Sequence, residues 1–239
     1  MAKNAAPASA VSAFLSGVII KTGIYGILRT FQMLRPVPEF LGWIVLAAGM
    51  LSAVLGVWYA LAQHDMKGLL AYHSVENIGI IGIGIGLGFI GSAYGSVPVQ
   101  ILGFGGALLH TLNHAIFKSL LFIGSGVIVH NTGTRIIEEM GGIIHSAKYF
   151  ALLFLVGSVA ISGLPPLNGF ISEFILYNGF FRAASDLRHY YPLAMLLVAV
   201  GLAFVGGLAV ACFTKLNSIV FLGSKRKPTG SFKVTPYEY

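Results

Sequence analysis

Charge is what this sequence has least of. Of its 239 residues only 10% are Asp, Glu, Lys or Arg, against 56% hydrophobic, and mean hydropathy is +0.83. A soluble domain carries about 25% charge to wet its surface, so the composition points to a bilayer rather than water. Cysteine is nearly missing too. Cys212 stands alone in an apolar run, which excludes an internal disulfide or a CxxC metal knuckle and reads as a small buried hydrophobe. Strand alternation is absent, and no GxGxxG follows a strand, so a soluble nucleotide-binding domain is not indicated. The net charge is +7, but no Lys/Arg cluster is interleaved with aromatics, which sets nucleic acid aside. The start, MAKNAAPASAVSAF, shows no cleavable signal peptide and passes straight into an apolar helix.

What is present is a series of long apolar windows. About 20 apolar residues span a hydrocarbon core as helix, and windows of that size lie near 9–29, 40–63, 72–93, 104–130 and 193–222. Between 149 and 184 two shorter stretches flank Gly163-Leu-Pro-Pro-Leu-Asn-Gly169, and such a run breaks a helix. Charge counting decides between two short crossings and one broken crossing. Two crossings divide the basic residues six against six. One broken crossing puts Arg29, Arg35, Arg182 and Arg188 on one side. Lys3, Lys67, Arg135, Lys148, Lys225, Arg226, Lys227 and Lys233 then lie on the other. The four-to-eight split obeys the positive-inside rule with the basic tail in the cytoplasm. The expected fold is therefore an all-α, polytopic transmembrane helix bundle of about six spans with one discontinuous helix. High glycine, 31 residues, suits helices that pack closely in lipid.

Ionisable residues inside such spans are functional candidates by default, because a charge at mid-bilayer costs about 2.5–3.5 kcal/mol on the insertion scale. Lys21 lies well inside the first window. His110, His114 and Lys118 recur at i, i+4 and i+8, which places them on one stripe about 12 Å long. Histidine exchanges protons near neutral pH, and three titratable groups in register form a candidate proton wire. Metal binding by the two histidines is disfavoured, since HTLNH lacks the glutamate of HExxH. Glu173 falls just beyond the Pro/Gly break, where freed carbonyls and water gather. Glu76 is expected at the start of its span as a helix-start carboxylate, paired with Lys67 or His73; these three are accessory candidates. Lys215 is expected to snorkel to the nearby interface, and Asn113 and Asn168 to hydrogen-bond between helices.

Four segments then carry a resemblance. PASAVSAFLSGVIIKTGIYGILR, DMKGLLAYHSVENIG, LLHTLNHAIFKSLLFIGSG and SGLPPLNGFISEF resemble, in order, the antiporter-like membrane subunits of respiratory complex I, formate-hydrogenlyase-type membrane-bound hydrogenases and Mrp-type cation/proton antiporters. HSVENIG looks more like the hydrogenase branch. The resemblance implies that Lys21 is a central-axis lysine, that His110, His114 and Lys118 form the link to a second half-channel, and that Glu173 is the terminal proton-exchange residue. A relay would run from Lys21 through Lys118, His114 and His110 to Glu173.

The resemblance also implies a division of the chain. Residues 1–38 would hold the lysine-bearing helix, a remnant of a first repeat, and 39–222 a second five-helix repeat forming a half-channel. Residues 223–239 would be a basic cytoplasmic tail ending Thr235-Pro-Tyr-Glu-Tyr239. The family's first-repeat glutamate–lysine pair is missing here, so a split subunit or a fragment is expected, needing a partner for the other half. The expected setting is a prokaryotic inner membrane. The chain would conduct protons or Na⁺, driven by redox chemistry in a peripheral arm. No cofactor or metal is expected on this chain; Fe–S, flavin or Ni–Fe centres belong to partner subunits. A stand-alone antiporter component and a structural subunit with a vestigial channel are the alternatives. No nucleophile–base pair marks an active site.

Overall fold

A computed structural model describes residues 9–34, 38–187, 192–226 and 232. Lys3, Arg35, Arg188, Lys227 and Lys233 of the charge division, and Thr235–Tyr239, lie outside the described residues. The chain folds into helices α1 (Ser9–Phe14), α2 (Lys21–Met33), α3 (Glu39–Leu61), α4 (Met66–Ala93), α5 (Val97–Thr132), α6 (Lys148–Ile161), α7 (Asn168–Asp186) and α8 (Pro192–Phe221). A π-helical segment, Leu15–Ile19, joins α1 to α2. Among the described residues five helical stretches are long and apolar enough to cross a membrane: Ser9–Phe31, α3, α4, α5 and α8.

Local chemistry sets the ends. Asp65 caps α4 by accepting from the Gly68 amide (2.8 Å), and Pro98 sits in the first turn of α5. Gly133 closes α5 at φ +69°, a left-handed conformation that glycine adopts without steric cost. Between the caps, large apolar side chains such as Leu51, Leu152, Val200 and Phe204 point outward and are exposed. This inside-out pattern suits contact with lipid. Helices α3 and α4 touch backbone to backbone. A Cβ on Gly79 would stand 2.5 Å from Ala53 N and Gly49 O, so glycine is required for that approach.

Helices α6 and α7 make one crossing, not two, and α5 is the ruler that shows it. Gly124 of α5 meets Phe154, and Leu121 and Leu120 meet Gly157 of α6. Further along, Asn113 bonds Asn168, His110 bonds Ser172, and Gly106 meets Leu176 of α7. Finally Ser96, just before α5, bonds Asp186 at the end of α7 (2.8 Å). The two helices descend α5 end to end, so the described residues make six crossings with the fifth broken. Lys67, Arg135, Lys148, Lys225 and Arg226 then share one face, called here the basic face, and Arg29 and Arg182 the other. At the basic face Arg226 Nη1 donates to Glu138 O (3.1 Å) and Met140 O (2.8 Å), which docks the start of the tail on the α5–α6 loop. Lys215 does more than snorkel. Its ammonium donates to Leu61 O (3.2 Å) and Gln63 O (3.3 Å) at the end of α3, satisfying carbonyls that a helix C-terminus leaves open.

The core is layered. One apolar cluster near the basic face takes in Leu70, Phe117, Ile161 and Cys212. A second, toward the opposite face, takes in Ile80, Leu176 and Ala209. A third holds Ile24, Ile81, Ile85, Phe89 and Ala107. Between the first two, in each of α4, α5 and α7, lie buried polar residues: His73, Ser74, Glu76 and Asn77; His110, Asn113 and His114; Ser172 and Glu173. A polar slab thus crosses the middle of an apolar bundle.

Candidate functional site: a polar slab at mid-membrane

Each intramembrane candidate falls on or beside this slab. His110, His114 and Lys118 are fully buried, and Glu173 is 7% exposed. Lys21 is partly buried. It lies within electrostatic reach of His110, His114 and Lys118, while Glu76 is within reach of both Lys118 and Glu173. Packing fixes the depth of Lys21: Gly17 lies against Ala115 and Ser119 and Ile24 joins the Ala107 cluster. The intervening Lys21 is therefore level with the two histidines, near the midpoint of α5.

Hydrogen bonds divide these residues into two groups. In the first, Lys21 Nζ donates to Ser16 O (2.6 Å). The π segment, with its Ile20 amide bonded to Leu15 O (3.1 Å), places this carbonyl beside the lysine. Across the gap to α4, Ser16 Oγ pairs with Ser74 Oγ at 2.6 Å. Ser74 Oγ also donates to Leu70 O (3.4 Å). The Lys118 ammonium donates to the same Leu70 carbonyl and lies 5.5 Å from the Phe122 ring centroid, a cation–π contact.

The second group centres on His110. His110 Nε2 donates to Asn77 Oδ1 (3.1 Å), and Asn77 Nδ2 donates to His73 O (2.8 Å). His73 Nδ1 in turn donates to the Glu76 carboxylate. On its other side His110 Nδ1 meets Ser172 Oγ at 2.9 Å. Ser172 is also 2.9 Å from Gly169 O and accepts from Asn113 Nδ2 (3.2 Å). Its single proton can turn to His110 Nδ1 or to a backbone carbonyl, Gly169 O or the more distant Asn168 O (3.5 Å). When His110 is neutral, Ser172 donates to Nδ1; when His110 is protonated, Nδ1 donates to Ser172, whose proton turns to Gly169 O. The site therefore accommodates both protonation states without moving a heavy atom.

His114 stands between the groups, within electrostatic reach of Lys21, Lys118, His110 and His73. Among the described residues neither of its ring nitrogens has a hydrogen-bond partner, and His73 Nε2 has none either. Buried polar atoms are seldom left unsatisfied, and ordered water is their usual partner when no protein group reaches them. Glu173, one residue beyond Ser172, sits against the chain break. A Cβ on Gly163 would stand 2.7 Å from both Glu173 carboxylate oxygens, so only a glycine at φ +64° leaves room for them.

The helix-start expectation for Glu76 is corrected. Helix α4 begins at Met66, so Glu76 lies ten residues into it, about 15 Å from its start, and Asp65 holds the capping position instead. Glu76 pairs with His73, as one of the two expected partners; Lys67 remains at the basic face. Asn113 bonds across helices to Asn168 O (2.7 Å). Asn77, Ser172, Ser16 and Ser74 are site residues that sequence reasoning misses. Asn77 and Ser74 adjoin Glu76 and His73, and Ser172 adjoins Glu173; that adjacency is the available signal. Among the described residues no three His, Cys, Asp or Glu side chains are grouped as metal ligands.

Residues 2–203 match the family model described as NADH:quinone oxidoreductase/Mrp antiporter, TM. The chain belongs to this family. It is 43% identical over 232 residues to hydrogenase-4 component B of Escherichia coli K12, covering 94% of this chain and 34% of that protein. Formate hydrogenlyase subunit 3 of the same organism is 42% identical over 225 residues, covering 94% and 36%. A Na(+)/H(+) antiporter subunit of Alkalihalophilus pseudofirmus is 30% identical over 231 residues, covering 95% and 43%. The chain thus spans about a third of the length of the first two relatives. A chain of the Mrp complex from Dietzia superposes with TM-score 0.78 at 25% identity, covering 94% of this chain and 38% of that one. The described fold, the family and these relatives make it a multi-pass membrane protein.

Proposed function

We propose that this chain is a proton-conducting membrane subunit of a redox-driven pump. The observation that carries this reading is the polar slab: titratable side chains on the first crossing and on α4, α5 and α7 meet at mid-depth between apolar clusters. Protons would pass from Lys21 to Lys118, cross His114 by water, reach His110 and leave through Ser172 toward Glu173. The Glu76–His73 pair lies on the α4 side of this line and would set its electrostatics. The similarity to a hydrogenase component and a formate hydrogenlyase subunit favours a hydrogenase-type complex. Its Fe–S, flavin or Ni–Fe centres would sit in partner subunits, and another subunit or segment would supply the first half-channel. The charge division favours a cytoplasmic basic face, and the bacterial relatives favour a prokaryotic cell membrane.

The test is translocation in sealed vesicles carrying the complete complex. Lys21→Ala and Glu173→Gln are expected to lower coupled proton translocation at least tenfold while assembly, checked by co-purification, is preserved. Wild-type translocation in both assembled variants removes these residues from the path. The similarity to a Na(+)/H(+) antiporter component supports a second reading, exchange of Na⁺ for H⁺. Sodium-dependent proton movement without a redox partner would favour it.

A further inference from the structure

Helices α6 and α8 leave a groove of about 340 Å³ between them. It starts at the basic face, beside Lys148 and Leu222, and follows α6 past Leu155 to Ser162 and Leu164. From Lys148 to Ser162 a helix rises about 21 Å, so the groove reaches the break near mid-membrane. Leu152 and Leu155 on its edge are exposed, and the groove opens sideways to the bilayer. Ser158, Ser162 and Asn217 turn their donors back to Phe154 O (2.9 Å), Ser158 O (2.8 Å) and Phe213 O (2.8 Å) of their own helices. What the groove offers is mainly hydrocarbon contact. Width decides the occupant. Over that length the volume gives a mean cross-section of roughly 16 Å², whereas a helix 10–12 Å across fills about 80–110 Å². A single acyl chain fits, and a helix of another subunit does not.

The mouth is basic. Lys148 lines both the groove and a surface hollow at the start of α6, shared with His145, Ser146 and Tyr149. Ser146 in turn lines an adjoining hollow with Lys225 and Arg226. The Gly142 amide donates to Leu222 O (3.0 Å), which holds the end of α8 against this loop. Lys148, Lys225 and Arg226 outnumber the one acidic residue lining either hollow, Glu139, whose carboxylate accepts from Thr134 (2.6 Å). Among the described residues neither Lys148 nor Lys225 is in a salt bridge. Tyr149, 84% exposed in the first turn of α6, stands at the headgroup level where tyrosine is enriched.

We propose that this groove binds one anionic phospholipid from the leaflet at the basic face. One acyl chain lies between α6 and α8, and the phosphate is held by Lys148, Lys225 and Arg226. Basic pockets between membrane helices take such headgroups. The end of the chain covers Ser162 and Leu164, the neighbours of Gly163, against which the Glu173 carboxylate packs. The lipid thus closes the broken crossing on its bilayer side. This site stands whether or not the chain conducts protons.

Photo-crosslinking in the complete complex tests it, in phosphatidylcholine nanodiscs containing a little phosphatidylglycerol with a diazirine on one acyl chain. Label is expected in residues 151–164 and 210–222, which line the groove. It should exceed, at least fivefold, the label from phosphatidylcholine bearing the same diazirine chain. One basic residue beside an anionic headgroup changes occupancy about fivefold, so Lys148→Ala should lower the phosphatidylglycerol label by that factor and leave the phosphatidylcholine label unchanged. Thr214→Trp, which places an indole in the groove, should lower both. Equal labelling by the two lipids, label confined to other segments, or an undiminished phosphatidylglycerol label in Lys148→Ala overturns the site. Crosslinking of Leu155→Cys to another subunit, in a Cys212→Ala background, also overturns it, by showing that protein fills the groove. If Lys148→Ala does not assemble, the preference of the unaltered complex between the two lipids decides.

Discussion

Two of the six crossings depart from a regular α-helix, one by a true break and one by a π turn within a continuous helix. The fifth, α6–α7, is interrupted by Gly163-Leu-Pro-Pro-Leu-Asn-Gly169, whose composition forbids a continuous helix. The first carries the π segment Leu15–Ile19, whose sequence LSGVI contains no helix breaker beyond one glycine. Both irregularities serve a titratable residue. The proline break brings the Glu173 carboxylate against Gly163. The π segment presents a carbonyl to Lys21. Backbone irregularity at membrane depth persists where it is buried or lines a cavity, and π segments recur at functional sites. The chain has built the two ends of its polar slab by one principle and two chemistries.

The comparison is sharpest if each irregularity is repaired. Deleting Ile19 removes the extra residue that makes the π turn and restores α-helical register, rotating Lys21 by about 100° relative to Ser16 and the residues before it. Coupled translocation is expected to fall at least tenfold with the complex still assembled. Unchanged translocation would show that the π turn is incidental to Lys21. Gly163→Val attacks the other end. A β-branched residue at φ +64° costs on the order of 1–3 kcal/mol, and its Cβ would occupy the space of the Glu173 oxygens. Translocation is expected to drop severalfold together with a lower melting temperature of the complex. A drop in stability alone would separate the break from the path.

The smallest effect is expected where the α5–α6 loop leads into the broken crossing. There His64 Nδ1 donates to Glu138 Oε1 (2.6 Å) at the surface. Burial alone would raise the Glu138 carboxyl, but the hydrogen bond from His64, a backbone hydrogen bond and nearby positive charges outweigh it and hold the group below its ordinary range. A depressed carboxylate contributes stability above its unfolded pKa and loses it as pH falls through the folded value. Protease sensitivity of the 133–147 loop should therefore rise as pH drops below about 4. The effect should be under about 1 kcal/mol, as for exposed pairs, and His64→Ala should weaken the pH dependence. A loop equally protected with and without His64 would show that the pair holds nothing.

The same contrast explains what can be read from the sequence. The bilayer, the six crossings and the broken fifth follow from hydropathy, proline placement and the side on which each arginine and lysine falls. Lys21, the His110–His114–Lys118 stripe and Glu173 stand out because ionisable groups in apolar runs are costly. The π turn does not, because LSGVI carries no local signal for it; in the fold its Gly17 packs closely against Ser119 of α5. Glu76 reads as a helix-start residue because its apolar window begins at Tyr72, whereas the Asp65 cap extends α4 by six residues toward the basic face. Ser16, Ser74, Asn77 and Ser172 are small polar residues of a kind helices carry everywhere. Only the meeting of α4, α5, α7 and the first crossing gives them partners.

The central claim is that these groups form one water-linked row. The most direct measurement is a density map of the complete complex at a resolution that shows ordered water. The account predicts water within about 2.7–3.2 Å of the His114 ring nitrogens and of His73 Nε2, joining the Lys118 group to the His110 group. A slab packed dry at His114, with Lys21 and Glu173 turned away from it, would contradict the account.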